Sequence, residues 1–401
     1  MEKKILVIAS TFPRWKNDSS PKFVYDLSEN LGSKYKIIVL VPHHKDAKKN
    51  EIMGGLEVRR FVYFKPESLQ KLCYGGGIIP NMKHSFLAKM QMPLFILSEF
   101  FASYRIIKKD NIGMLHAHWM LPQGFVGVLL KKLCKVPLLV TVHGSDLFPL
   151  KNTFFKKLQH FVIQNCDNLT VNSEATKREI IHRFPEHSSK IEIIPMGVDI
   201  NLFKKKKVQK PKKYTKNKIL LFVGRLSDQK GLQYLVDSMV DLVRYDKHIK
   251  LLVIGEGPYE KMLRQRTDSR GVSDNIEFLG SIPTNNVVEY HNFADIFILP
   301  SLSNKTGTEA LGLSLLEAMA SGCAVVGTNV GGISFAIKNG DNGLLVGQKD
   351  HHALSHAIIT LLKNKKKSLS MGKNASKFVR ENYSWEKISK GFGEIYDILL
   401  K

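Results

Sequence analysis

From Lys4 almost to the C-terminal end, apolar runs of strand length alternate with stretches in which apolar residues recur every three or four positions. Short apolar runs without polar alternation are the mark of parallel strands buried on both faces, and the stretches between them read as covering helices. In the first half the pattern predicts strands at Lys4 to Ala9, Lys36 to Val41, Val58 to Tyr63, Met114 to His116, Pro137 to His143, Leu169 to Val171 and Glu192 to Ile194. Helices are predicted at Phe23 to Leu31, Gly124 to Leu133, Phe154 to Asn165 and Glu174 to Arg183. The rhythm then starts afresh, with strands at Lys218 to Val223, Lys250 to Ile254, Ile276 to Leu279, Asp295 to Leu299, Ala324 to Gly327 and Gly343 to Val346. The fold class is α/β, two doubly wound sheets, and ligands in such folds bind at the carboxyl ends of the strands, here in a cleft between two facing sheets.

Between the two series lies Asn201 to Asn217, rich in lysine and without apolar periodicity beyond Leu202-Phe203, which reads as an exposed linker kept extended by charge repulsion. Tyr383-Ser384-Trp385 breaks the last helical stretch, and Ser384 is placed to cap a final helix, Trp385 to Leu400.

A chain of 401 residues suffices for two domains, and 43% hydrophobic with 24% charged residues is ordinary for a folded protein. The formal charge of +24 changes the picture more, because it calls for an anionic partner. Basic residues interleaved with aromatics, or a known reader module, are missing, so nucleic acid is not expected. An anionic membrane surface on the first half is the functional reading of the scattered lysines, and simple solvation is the other. The stretch Met92 to Ile107, apolar with basic flanks, fits either a helix in a membrane interface or one covering its own core. No run reaches the roughly 20 apolar residues of a membrane span. Cys73, Cys134, Cys166 and Cys323 have neither metal-ligand nor paired spacing, which fits a reducing, cytoplasmic setting.

The candidate chemistry sits at strand ends. Glu309 and Glu317 bracket Gly312-Leu313, placed at a helix start where free amides and the macrodipole can hold a phosphate. An amphipathic helix with exposed glutamates is the plain alternative. Arg225 follows one predicted strand and Lys230 opens the next helix, two cations of the kind a diphosphate leaving group requires. Gly255-Glu256-Gly257 and Gly280 follow the next two strands, and His143-Gly144-Ser145-Asp146 follows a strand of the first half. His116 and His118, two apart on a strand with no third ligand nearby, are poor metal spacing and read as loop-positioning or acceptor-contacting residues.

Taken in order, Gly224-Arg225-Leu226 with Lys230-Gly231, Gly255-Glu256-Gly257, Phe278-Leu279-Gly280, Pro300-Ser301, Glu309 to Glu317, Gly331-Gly332, and in the first half Thr11-Phe12-Pro13, His116-Ala117-His118-Trp119, Thr141 to Asp146 and Gly197-Val198-Asp199 resemble glycosyltransferase family 4, retaining enzymes of the GT-B fold. The resemblance covers nearly the whole chain. It implies an acceptor-binding Rossmann-like domain at 1–200, joined by a final helix at about 385–401 that crosses back, and a donor-binding domain at 218–384 after the linker 201–217. It implies that Arg225 and Lys230 bind the donor diphosphate, that Gly312 and Leu313 add amides, that Glu317 holds the ribose and Glu309 the sugar, and that Gly255 and Ile282 line the donor site. His143 is implied to face the reacting centre, with Pro13, His118 and Asp146 towards the acceptor.

The expected activity is transfer of a hexose from a UDP- or GDP-type sugar, with retention and without metal or other cofactor, to a glycan or lipid-linked acceptor in surface polysaccharide or glycolipid synthesis. A sugar-nucleotide or anionic-lipid binding module, or a glucan synthase or phosphorylase, are the alternatives. Two departures stand out: Ser19-Ser20-Pro21 where many relatives have a glycine pair, and Met196 where an asparagine commonly precedes the glycine.

Overall fold

A computed structural model describes residues 4–16, 18, 20–304 and 307–401. Ser19, the first residue of the Ser19-Ser20-Pro21 departure named above, lies outside them. The chain divides into two units, Met1–Met196 with Trp385–Lys401, and Gly197–Ser384.

The first unit contains β1 (Lys4–Ile8), α1 (Phe23–Gly32), β2 (Ile37–Pro42), β3 (Asn50–Met53), β4 (Leu56–Phe61), α2 (Ile78–His84), α3 (Phe86–Lys109), β5 (Ile112–His118), α4 (Phe125–Cys134), β6 (Leu138–Val142), α5 (Thr153–Asn165), β7 (Asn168–Val171), α6 (Glu174–Arg183) and β8 (Ile191–Ile193). The second contains β9 (Lys218–Val223), α7 (Leu232–Tyr245), β10 (Ile249–Ile254), α8 (Glu260–Ser269), β11 (Ile276–Phe278), α9 (Thr284–Phe293), β12 (Ile296–Leu299), α10 (Leu313–Ala320), β13 (Ala324–Thr328), α11 (Ile333–Ala336), β14 (Leu344–Val346), α12 (His351–Lys363) and α13 (Lys365–Tyr383). Helix α14 (Trp385–Leu399) returns to the first unit.

The first sheet runs β3-β4-β2-β1-β5-β6-β7-β8, parallel except for β3. The period-2 exposure of β3 and its four-residue length, Asn50-Glu51-Ile52-Met53, suit an antiparallel edge and leave it without an apolar run. Helix α14 packs on α1, where Tyr35 Oη donates to the Gly393 carbonyl at 2.9 Å.

The second sheet runs β11-β10-β9-β12-β13-β14, parallel throughout. Renumbered within the unit this is the order 3-2-1-4-5-6, whose direction reverses between the first and fourth strands, here β9 and β12. Both are almost wholly buried, which is why they read as continuous apolar runs.

The expected exposed linker is mostly exposed, but charge repulsion does not hold it off the protein. Residues 201–217 belong to the second unit and are packed on it: Phe203 and Tyr214 are buried, Lys206 N donates to Asn292 Oδ1 at 2.7 Å, and Lys210 and Lys213 pair with Asp295 and Glu277. Two aromatic anchors and waiting carboxylates outweigh the mutual repulsion of the lysines. Met196 is also buried, so its side chain takes an apolar place at that turn.

Candidate active site

In the second unit the loops following β9 and β12, neighbours only because of the strand order, are laced together. Leu302 N donates to the Gln229 carbonyl at 2.7 Å, and Asn304 Nδ2 to Asp228 Oδ2 at 2.8 Å. Lys230, at the end of a single 3-10 turn, thereby reaches Glu309: Nζ to Oε2 is 2.5 Å. Ser301, fully buried, donates its hydroxyl to the same Oε2 at 3.0 Å and accepts Thr328 Oγ1 at its carbonyl. Glu309 is therefore oriented by a cation and a hydroxyl, both acting on one carboxylate oxygen.

Backbone shape completes the position. Gly331 has φ +49, and a Cβ there would lie 2.0 Å from the Glu309 carbonyl oxygen, while the neighbouring Gly332 N–H donates to that oxygen at 2.7 Å. Only a glycine permits so close an approach of two chain segments. Gly312 caps α10 without a side chain and stands against the Glu309 side chain, so the amides of Gly312, Leu313 and Ser314 precede the first intrahelical bond, Leu315 N to Gly312 O. Glu317 lies just over one turn further on, half-buried.

The loops after β9, β10 and β11 continue the sheet's bonding beyond its strands. Gly224 N donates to Ile254 O, Leu226 N to Glu256 O at 2.9 Å and Gly255 N to Gly280 O at 2.8 Å. Gly255 has φ +129, and a Cβ there would come within 2.0 Å of the Gly224 carbonyl, so its place is set by close packing of chain. Ser281, beside Ile282, is held through its N–H by the Glu256 carboxylate. Arg225 is half-buried at this rim, and desolvation lowers its guanidinium pKa from the ordinary value.

The first unit carries its own cluster. His116 is clamped between Tyr396 Oη of α14 and Thr141 Oγ1, each at 2.7 Å. His118 Nδ1 and His143 Nε2 are 3.0 Å apart with rings stacked, and the His143 ring packs on Phe23 and Trp119 with centroids 4.9 Å away. Burial pushes His116 and His143 down to about 3 and His118 well below its usual value, so the imidazoles are neutral near pH 7. Trp119 sits at φ 75, an uncommon backbone for a bulky residue, held by its N–H on the Thr141 carbonyl and its indole on Ser145 Oγ. Asp146 accepts the N–H groups of Met120 and His143, and burial raises its carboxyl to about 6.

Three expected acceptor contacts need correction. His118 and Asp146 are 0% and 2% exposed, and Pro13 is buried with its carbonyl taken by Arg60. Their side chains offer no surface to a ligand; His118 and Asp146 instead fix His143 and its loop from beneath. His143 itself keeps part of its surface open. Ser301 and Trp119 join the site although the strand-end pattern does not single them out; both stand in motifs of the resemblance, Pro300-Ser301 and His116 to Trp119. Their roles depend on partners far away in sequence. Among the described residues, one group of metal-type ligands draws close, His160, Glu186 and His187, and it shares no residue with these loops.

Residues 21–202 match the family described as Glycosyltransferase Family 4, and residues 203–378 match Glycosyl transferases group 1. N-acetyl-alpha-D-glucosaminyl L-malate synthase of Bacillus anthracis is 30% identical over 302 residues, covering 73% of this chain and 77% of that protein. The chain is a family 4 glycosyltransferase. Its fold is shared by sucrose-phosphate synthase of Thermosynechococcus elongatus, TM-score 0.79 at 22% identity over 99% of both chains. Anabaena HepE, solved in complex with UDP and glucose, has a TM-score of 0.76 at 17% identity over 99% of this chain and all of that one. These neighbours place the glycosyltransferase in the GT-B fold class, with Rossmann-like sheets in both units.

Proposed function

We propose that this glycosyltransferase transfers a hexose, with retention of configuration, from a UDP- or GDP-linked donor to a glycan or lipid-linked acceptor. The observation that carries the reading is the Lys230–Glu309–Ser301 cluster at the β9/β12 reversal, beside the start of α10. A nucleoside diphosphate brings charge that Lys230, Arg225 and the α10 amides are suited to neutralise, in the ground state and as the leaving group departs. In taking up Lys230, the diphosphate frees the Glu309 carboxylate to accept hydrogen bonds from the sugar's hydroxyls, while Ser301 keeps it aimed. Glu317 is assigned to the ribose, and the loop around Gly255 and Ile282 to the rest of the nucleotide.

His143, neutral and seated on His118, is assigned to the acceptor side as a polar contact near the reacting centre. The proton lost by the acceptor hydroxyl passes to the departing diphosphate, which needs no side chain with a pKa near 7. Cation side chains and helix amides do the work of charge neutralisation, so no metal or other cofactor is assigned to the reaction. UDP is the first nucleotide to test, because HepE was solved with UDP and glucose.

The test is incubation with single nucleotide sugars and membrane-extracted acceptors, reading free nucleoside diphosphate and the product by mass spectrometry, with the anomeric configuration by NMR. Release coupled to an axial product supports the reading. No release with any donor, or an inverted product, overturns it.

A further inference from the structure

Helix α3 is apolar on two sides, more than a helix needs whose surroundings are only water and its own core. Its buried side carries Ala88, Phe95, Ile106 and Ile107 together with Gln91, Glu99 and Ser103. Its open side shows Phe86 at 77%, Met90 at 58%, Leu94 at 43%, Leu97 at 53% and Phe101 at 52% exposure. Steps of four, four, three and four residues put these five on one stripe. An isolated exposed leucine needs no explanation, but a contiguous stripe of large apolar side chains marks a contact surface.

The charges say what kind. Lys89, Arg105, Lys108 and Lys109 are exposed around the stripe, Lys83 stands just ahead of it, and the helix's only acid, Glu99, is buried. Burial pushes the Glu99 carboxyl up to about 8, which leaves no negative charge on the helix to offset the cations at neutral pH. Two copies packed stripe to stripe would bring basic ends together in either orientation, which disfavours self-association. An anionic lipid surface satisfies both features, with acyl chains for the stripe and headgroups for the cations.

We propose that α3 seats this chain on an anionic phospholipid bilayer, lying in the interface with Phe86, Met90, Leu94, Leu97 and Phe101 inserted. Spanning is a different matter: among the described residues no helix is long and apolar enough to cross a membrane, and the other face of α3 is packed against the first unit's own core through Ala88, Phe95, Ile106 and Ile107. The seating is linked to the site, since Glu99 Oε1 accepts Gln123 Nε2 at 3.2 Å, and Gln123 lies in the turn that follows His118-Trp119. A bilayer under α3 therefore holds the acceptor-side loop near lipid, which favours a lipid-carried acceptor; this last consequence rests on the function proposed above, whereas the seating does not.

The experiment is flotation of the full chain with phosphatidylcholine vesicles, with and without about a third phosphatidylglycerol. Binding is expected to the anionic vesicles, to weaken with salt, and to fall at least about tenfold in Leu94→Gln/Leu97→Gln/Phe101→Gln. Lys89→Glu/Arg105→Glu should lose the preference for phosphatidylglycerol. Circular dichroism checks the fold, and if the triple variant melts early, Leu97→Gln and Phe101→Gln singly carry the test. Failure to float with anionic vesicles at low salt, equal binding by the glutamine variants, or a wild-type dimer that these variants make monomeric would each overturn the proposal. Because flotation reads no turnover, its failure leaves the assigned reaction untouched, and inactivity with every donor leaves the seating untouched.

Discussion

Lys230 Nζ lies 2.5 Å from Glu309 Oε2 although 79 positions separate the two residues. The pair couples recognition of the leaving group to recognition of the sugar. Lys230→Ala, Glu309→Gln and Arg225→Ala are each expected to cut turnover at least about tenfold. Glu309→Gln should nevertheless bind nucleoside diphosphate at least as tightly as the parent chain, because its lysine no longer has a carboxylate to leave. Steady-state rates with calorimetric titration of the diphosphate check both; near-normal rates in any two variants contradict the assignment.

Gly331→Ala sets a methyl group against the Glu309 carbonyl and strains a left-handed backbone. A stability loss of about 2 kcal/mol or more is expected, with turnover reduced beyond what the unfolded fraction explains. Gly347, with open space around it, is the control: Gly347→Ala should stay within about 0.5 kcal/mol in denaturant titrations.

The stacked imidazoles of His118 and His143 are held neutral far below pH 6.5. Between about pH 5.5 and 7.5 the kcat profile should therefore lack an imidazole limb. A limb near 6.5 that vanishes in His143→Gln would contradict this. His143→Ala should lower kcat without altering the affinity for nucleoside diphosphate.

Glu99 has a folded pKa of about 8 against an ordinary 4.5, raised by burial. The folded chain thus keeps a proton that the unfolded chain has released between those values. Its contribution to stability is full below about pH 4.5 and is lost as pH rises to about 8. Glu99→Gln keeps the shape and a partner for Gln123, so it should stabilise the protein at pH 8 by up to about 3 kcal/mol relative to pH 5.5. Urea titrations of both chains at the two pH values give the difference; equal shifts would show that Glu99 is ionised in the folded protein.

Chelator should leave turnover unchanged, because the proposed site neutralises the diphosphate with Arg225, Lys230 and helix amides. Loss of activity restored by added magnesium would overturn that part of the proposal.

The periodic pattern and the strand-end motifs were enough for the two α/β units, most strand positions, and the neighbourhood of Arg225, Lys230, Glu309 and Gly312, because parallel strands buried on both faces and glycines at tight turns leave local marks. The short edge strand β3, two polar residues and two apolar, left none. Everything that depended on how the elements pack was decided by tertiary structure: the approach of Lys230 and Ser301 to Glu309, the place of His118 beneath His143, the packing of 201–217 onto the second unit, and the outward turn of a second apolar stripe of α3. A one-dimensional pattern records how often a residue type recurs, whereas these relationships need the strand order of each sheet and the burial it creates, and burial is a property of the assembled sheet and its helices.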